Sequence, residues 1–213
     1  MLTDKDIIEN KTRFLQLING IERDGFKKEL LTQWLGAKSD FFDAPASTVY
    51  HAAYVGGLCQ HCLNVYDNLV KIVDALATDE EKERWAKDNS LVLVALLHDL
   101  SKTNFYEIYY RNQKVYSDTG SKHDEVGKFD WAVVKAFKVK EDPNILVGTH
   151  EATAYYMAEK FVSLNPEETA AILNHMGGTD CSVGAAKSIP QLYARYHLAM
   201  YLHMADLAAT CSE

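Results

Sequence analysis

The chain has 213 residues and a mass of 24.0 kDa, with 47% hydrophobic and 24% charged residues. These values fit one ordinary globular domain and exclude a mainly disordered chain, which needs low hydrophobicity together with high net charge. Its 22 basic and 30 acidic residues give a formal charge of −8, so a basic face that grips DNA or RNA by charge alone is not expected, although a metal ion or a local cation can still invert the field inside a cleft.

Along the chain, Thr3 followed three residues later by Asp6 resembles a capping box. Ile7, Ile8, Leu15 and Ile18 then recur at helical spacing, and Gly20 is a natural stop. A second helix is expected after Asp24, ending near Gly36, and Ser39 to Ser47 reads as loop. Helices follow over Gly57 to Leu76, Glu80 to Lys87, and Leu91 to about Lys102. The last of these has no polar face and must be buried on most sides. Phe105 to Ser117 is rich in Tyr, Ile and Val around Arg111 to Lys114 and reads as a short β-hairpin, with a polar loop over 118–127. Helical patterning is then expected over Asp130 to Lys138, Glu151 to Val162, Pro166 to His175, and Gln191 to Thr210. Asn165 and Pro166 form a cap and first-turn pair. The expected architecture is a single all-α helical domain over residues 1–213. Its N-terminal helices (1–40) pack on the rest, and a small β-hairpin and loop insertion occupies 105–127.

The N-terminus lacks the basic start, apolar core and cleavage site of a signal peptide. The longest apolar run, Leu91 to Leu97, is far below the roughly 20 residues of a membrane span. A cytoplasmic protein with reduced thiols is therefore expected. Of Cys59, Cys62, Cys181 and Cys211, the first two form a lone CxxC inside a predicted helix. Core packing is the preferred reading over redox or zinc chemistry.

Chemistry concentrates in the histidines. His98 and Asp99 end the apolar helix, where an unpaired carboxylate would cost several kcal/mol to bury. A metal ion removes that objection by binding carboxylate and neutral imidazole together; a core histidine hydrogen-bonded to Asp99 is the alternative. Lys102 follows Asp99 by three residues on the same helical face and could touch a substrate oxyanion. His61, within GGLCQHC, and Asp206, within YLHMADLAA, add two more ligand-type residues in apolar sequence, each needing a partner.

In this order, His61, His98-Asp99 and Asp206 resemble the signature of the HD superfamily of metal-dependent phosphohydrolases: a His, a His-Asp doublet and a distant Asp on a helical bundle. YHAAYVGGLCQHCLNV, LLHDLSK and MADLAA resemble its successive motif helices, and the resemblance covers roughly Phe42 to Cys211. It implies His61, His98, Asp99 and Asp206 as metal ligands. His150 and His175 fit the slots of a second metal, bridged by Asp99, with His123 the weaker candidate. The implied cofactors are two divalent transition-metal ions (iron, manganese, zinc, nickel or cobalt). Asp99 and Lys102 are then the catalytic pair. The implied reaction is hydrolysis of a phosphomonoester or phosphodiester by metal-activated water, with a nucleotide or other small phosphorylated metabolite as partner and neither membrane nor stable nucleic-acid binding. A di-iron oxygenase and a non-catalytic nucleotide-binding module are the alternatives. His51 is a candidate pocket residue, His203 a partner that orients a ligand, Glu151 a neighbour of His150, and His197 structural. Tyr106, Tyr109, Tyr110 and Tyr116 could stack on a base, although cross-strand packing is the simpler role.

Overall fold

The structure, a computed structural model, describes residues 2–143, 148–177 and 188–212. It is mostly helical with one small antiparallel sheet. The helices are α1 (Asp4–Asn19), α2 (Lys28–Ala37), α3 (Gly57–Leu76), α4 (Asp79–Asp88), α5 (Ser90–Leu97), α6 (His150–Glu159), α7 (Pro166–Leu173), α8 (Ile189–Arg195) and α9 (His197–Ser212). A 3-10 turn over Leu100–Lys102 follows α5. The strands are β1 (Tyr106–Tyr116), β2 (Lys122–His123) and β3 (Lys128–Val139), in the order β1-β3-β2.

The capping signals act as expected. The Thr3 hydroxyl accepts from the Asp6 N–H while the Asp6 carboxylate accepts from the Thr3 N–H, which satisfies two donors at the start of α1. Asn165 and Glu168 do the same for α7, behind Pro166 at its first position. Glu168 also ties three segments together: its buried carboxylate accepts from Arg23 and from Ser90, both at 2.7 Å.

α3 and α5 form the spine between two apolar clusters. On one side Phe14 and Ile18 of α1 and Leu31 and Leu35 of α2 meet Leu58 and Leu63 of α3 and Leu93, Leu96 and Leu97 of α5. On the other side Val65, Leu69 and Val94 meet Trp85, Ile172, Leu198 and Leu202. α5 is apolar all round because it feeds both clusters. Cys59 and Cys62 are buried in the first cluster, and burial pushes the Cys59 thiol up to about 12, which makes it a packing group. Cys181 lies outside the described residues.

Several expectations are corrected. Asp130 to Lys138 is not a helix but most of β3, and Arg111 to Lys114 is not a turn but the middle of β1. The two strands pair along their whole length, from Tyr106 opposite Val139 to Tyr116 opposite Phe129. Adjacent apolar residues in WAVVKAF satisfy a helical template, but its β-branched and aromatic side chains suit a strand, and an eleven-residue partner decides between them. The chain reversal falls after Tyr116, where β2 pairs back onto β3, so the β insertion runs to Val139 rather than to residue 127. The helix expected over Leu91 to Lys102 stops at Leu97. The one expected over Gln191 to Thr210 is two helices, broken at Tyr196. Helices expected to end at Val162 and His175 stop at Glu159 and Leu173. Among the described residues no helix is long and apolar enough to cross a membrane.

α3 starts in a tight spot. Gly56 has φ +80°, and a Cβ added at Gly57 would lie 2.0 Å from the Ala52 carbonyl oxygen. Gly57→Ala therefore forces the backbone to shift and is expected to cost about 1–3 kcal/mol. Gly36, helical and with nothing within 4 Å of an added Cβ, is the opposite case. Gly36→Ala is expected to stabilise by about 0.5 kcal/mol. Urea midpoints of the two variants should move in opposite directions from wild type.

Candidate metal centre

The six side chains implied as ligands come from separate elements and converge. His61 lies on the first turns of α3 and Asp206 in the middle of α9. His98 caps α5 and Asp99 opens the 3-10 turn. His150 begins α6, and His175 lies just past α7. His61 Nε2 is 3.0 Å from Asp206 Oδ1 and 3.6 Å from Asp99 Oδ2. His98 Nε2 is 3.4 Å from Asp99 Oδ2 and 4.0 Å from Asp206 Oδ1. His175 Nε2 is 3.7 Å from Asp99 Oδ1, and His150 Nε2 is 3.3 Å from His175 Nε2. Asp99 therefore presents one oxygen to His61 and His98 and the other to His175.

The local folding explains how neighbours in sequence share one centre. Successive residues on an α-helix diverge by about 100°. α5 ends at Leu97, and Asp99 leaves helical geometry at φ −110°, ψ 20°, which turns its carboxylate toward the imidazole beside it. His98 Nδ1–H donates to the Ala95 carbonyl at 2.9 Å, and His175 Nδ1–H donates to the Ile172 carbonyl at 2.7 Å. Each imidazole thus occupies one of the open carbonyls at a helix C-terminus, three residues back. A carbonyl only accepts, so both protons are fixed on Nδ1 and both Nε2 lone pairs face the cluster. That is the tautomer a cation needs. Glu151 Oε2 lies 3.4 Å from His150 Nδ1 without forming a hydrogen bond.

The electrostatics favour a cation. His61, His98, Asp99 and His175 are almost fully buried. Burial alone would raise the Asp99 pKa, but the Lys102 ammonium at 2.7 Å from Oδ2, with His98, holds it well below the usual carboxylate range. Asp206 is likewise held low against its burial, first by the hydrogen bond with His61. Lys102 would be lowered by burial, yet the Asp99 carboxylate keeps it raised and protonated. Burial, then His98, pushes His175 down to about 4, so it is a neutral imidazole near pH 7. Two ionised carboxylates against one ammonium leave the cluster net negative.

The donor chemistry fits a metal. Both Asp99 carboxylate oxygens and His98 Nε2 are buried without a hydrogen bond of acceptable geometry, an arrangement that costs several kcal/mol unless something else satisfies those atoms. Donors about 2.1 Å from one ion stand roughly 3.0–3.4 Å apart, close to the observed separations. Among the described residues two groups could hold an ion: His61, His98 and Asp206, and His98, Asp99 and His175.

Asp99, His150, His175 and Asp206 of the cluster line a cavity of about 360 Å³. Lys102, His51 and His203 line it too. The His51 ring stands 4.8 Å from that of His61. His203 Nδ1–H donates to the His175 carbonyl at 2.6 Å and its ring packs on Gly177, where an added Cβ would meet it at 2.7 Å. His123 lies exposed on β2, away from this lining, and His197 is engaged by Glu81 at 2.6 Å. Thr48, Tyr50, Leu207 and Thr210 also line the cavity, although the sequence reading did not single them out. A signal existed for Thr210, four residues after Asp206 on the same helical face. Tyr50 stands out only through its place in the fold.

The buried groups make the metal-free protein pH-sensitive. His175 binds a proton near pH 6.5 when unfolded and only near 4 when folded, so the unfolded state takes up more protons in that window. Stability is full above about pH 6.5 and is lost as pH falls toward 4, on the order of a few kcal/mol. Asp99 and Asp206, with lowered values, extend the loss below pH 4. Urea unfolding at pH 7 and pH 4.5 in the presence of chelator should show a lower midpoint at pH 4.5, and His175→Asn should flatten the difference.

No protein-family model, curated protein or solved structure matches this chain.

Proposed function

We propose that the chain is a metal-dependent phosphohydrolase of the HD type, acting on a phosphoester of a small metabolite. The observation that carries this reading is the convergence of His61, His98, Asp99, His150, His175 and Asp206, of which Asp99, His150, His175 and Asp206 line an open cavity beside a protonated lysine. His61, His98, Asp99 and Asp206 would hold one ion, and Asp99, His150 and His175 a second. Mixed imidazole and carboxylate ligation suits iron, manganese, zinc and related ions over calcium. Bound there, such ions supply Lewis acidity that lowers the pKa of a water and neutralises phosphate charge.

The chain's own residues do the rest. Lys102 keeps its proton because Asp99 compensates it, and its side chain lines the cavity, where it can donate to a phosphate oxygen whose charge grows during in-line displacement. Asp99 holds the Lys102 head in place at 2.7 Å, so the cation is positioned before substrate arrives. The Nδ1–carbonyl bonds of His98 and His175 fix both rings, so neither has to reorient on binding.

The test is metal analysis of freshly purified protein, followed by turnover of simple phosphoesters with the metal found. Asp99→Ala and Asp99→Asn should each lose bound metal and at least about 100-fold in kcat/KM, with helical circular dichroism preserved. Lys102→Ala should keep the metal and lose mainly kcat. Phosphoester turnover that is unchanged in Asp99→Asn would end this reading.

A further inference from the structure

A second cavity lies at the far end of α6. The helix starts with His150 at the metal centre and ends ten residues on at Glu159, about 15 Å away. There it meets α2. The Lys27 N–H donates to the Phe161 carbonyl at 2.8 Å, and Lys27 Nζ donates to the Lys160 carbonyl at 3.3 Å, which ties the start of α2 to the end of α6. Beside this tie is a cavity of about 350 Å³. Met157 and Phe161, both almost buried, form part of its lining with the half-buried Trp34, whose ring stands 5.7 Å from that of Phe161. Leu30, 48% exposed, extends the apolar surface outward. Because Met157 and Phe161 belong to the core, the recess is preformed rather than assembled on demand.

Its polar groups are of one kind. Gln33, Lys38 and Lys160 complete the lining, and no carboxylate joins them, in a chain with 30 acidic and 22 basic residues. Among the described residues neither ammonium has an acidic partner: Lys160 Nζ rests over the Tyr156 ring at 4.6 Å, and Lys38 stands just past the end of α2. The carbonyls at these two helix ends carry partial negative charge, but they are already engaged. Lys27 takes those of Lys160 and Phe161, and Asn104 Nδ2 donates to that of Lys38 at 3.4 Å. The local field at the cavity is therefore positive on a molecule that is negative as a whole. An aromatic recess edged by two uncompensated cations is complementary to an apolar body that carries one anionic head.

We propose that the cavity between α2 and α6 binds an aryl or acyl carboxylate, its apolar body against Trp34, Met157 and Phe161 and its carboxylate between Lys38 and Lys160. The site is separate from the metal centre and does not depend on the phosphohydrolase reading. Apolar contact supplies most of the affinity, and the exposed lysines select the anion, since exposed ion pairs contribute little each and are screened by salt.

The test uses the full chain with naphthoate as the probe, read by calorimetry and by the methyl resonances of isotope-labelled methionines. Naphthoate should shift the Met157 methyl resonance and leave in place that of Met176, which lines the cavity at the metal centre. Naphthylmethanol, a neutral analogue of the same body, should bind about tenfold more weakly than naphthoate. Lys38 and Lys160 are both exposed, so the double variant Lys38→Gln, Lys160→Gln should fold as wild type does. It should weaken naphthoate about tenfold and leave naphthylmethanol binding unchanged. High salt should narrow the gap between the two probes in wild type. A shift of Met176 in place of Met157 puts the probe at the metal centre and overturns the site, as does the absence of binding by either probe. Equal affinity for the two probes, or naphthoate binding indifferent to the double variant, overturns the carboxylate assignment.

Discussion

Burying the Asp99 carboxylate is the constraint around which the rest of the molecule is arranged. The residue follows the most apolar stretch of the chain, and an ionised carboxyl in such a place is costly unless charges or dipoles surround it. The protein meets that cost from several directions at once. Lys102 reaches back from the same turn, His61 and His98 approach one oxygen, and His175 approaches the other. Each of these groups is itself buried or half-buried and depends on Asp99 in return. The result is a compact set of charges and lone pairs that remains net negative and partly unsatisfied among the described residues, which is the condition under which a cation binds in place of water.

Holding that set requires rigid elements, and the helix ends supply them. His98 and His175 both stand one or two residues past a helix and both return a proton to a carbonyl three residues earlier. The bond completes the helix terminus and fixes the imidazole in the same act. Because α5 and α7 pack in the same apolar cluster, the two rings are held relative to one another by the core itself. Side chains that bind on demand would need to reorganise; these are set in advance by packing.

Much of this is legible in the sequence, and the parts that are not have physical reasons. The capping box at Thr3 and the Asn165–Pro166 cap are local, so short spacing reveals them. The burial of α5 follows from its lack of a polar face. The β insertion was mis-bounded because a strand's identity depends on its partner: Trp131 to Phe137 reads as helix in isolation and as strand once β1 lies beside it. The end of α5 was also missed. Leu91 to Lys102 carries no glycine or proline to stop it, and the stop comes instead from His98 turning to the Ala95 carbonyl and Asp99 turning toward the charges that neutralise it.

By itself, the sequence determined the inventory: which residue types are present, that His61, His98, Asp99 and Asp206 stand in apolar surroundings where each needs a partner, and that helices dominate. Periodicity and burial cost are properties of short segments, so one chain suffices to read them. Only the tertiary structure decided which of those residues meet, because contacts between positions more than a hundred residues apart depend on how α3, α5, α7 and α9 pack. The same packing placed Tyr50 at the cavity and His123 away from it, although the sequence offers His123 as a candidate ligand and carries no signal at Tyr50.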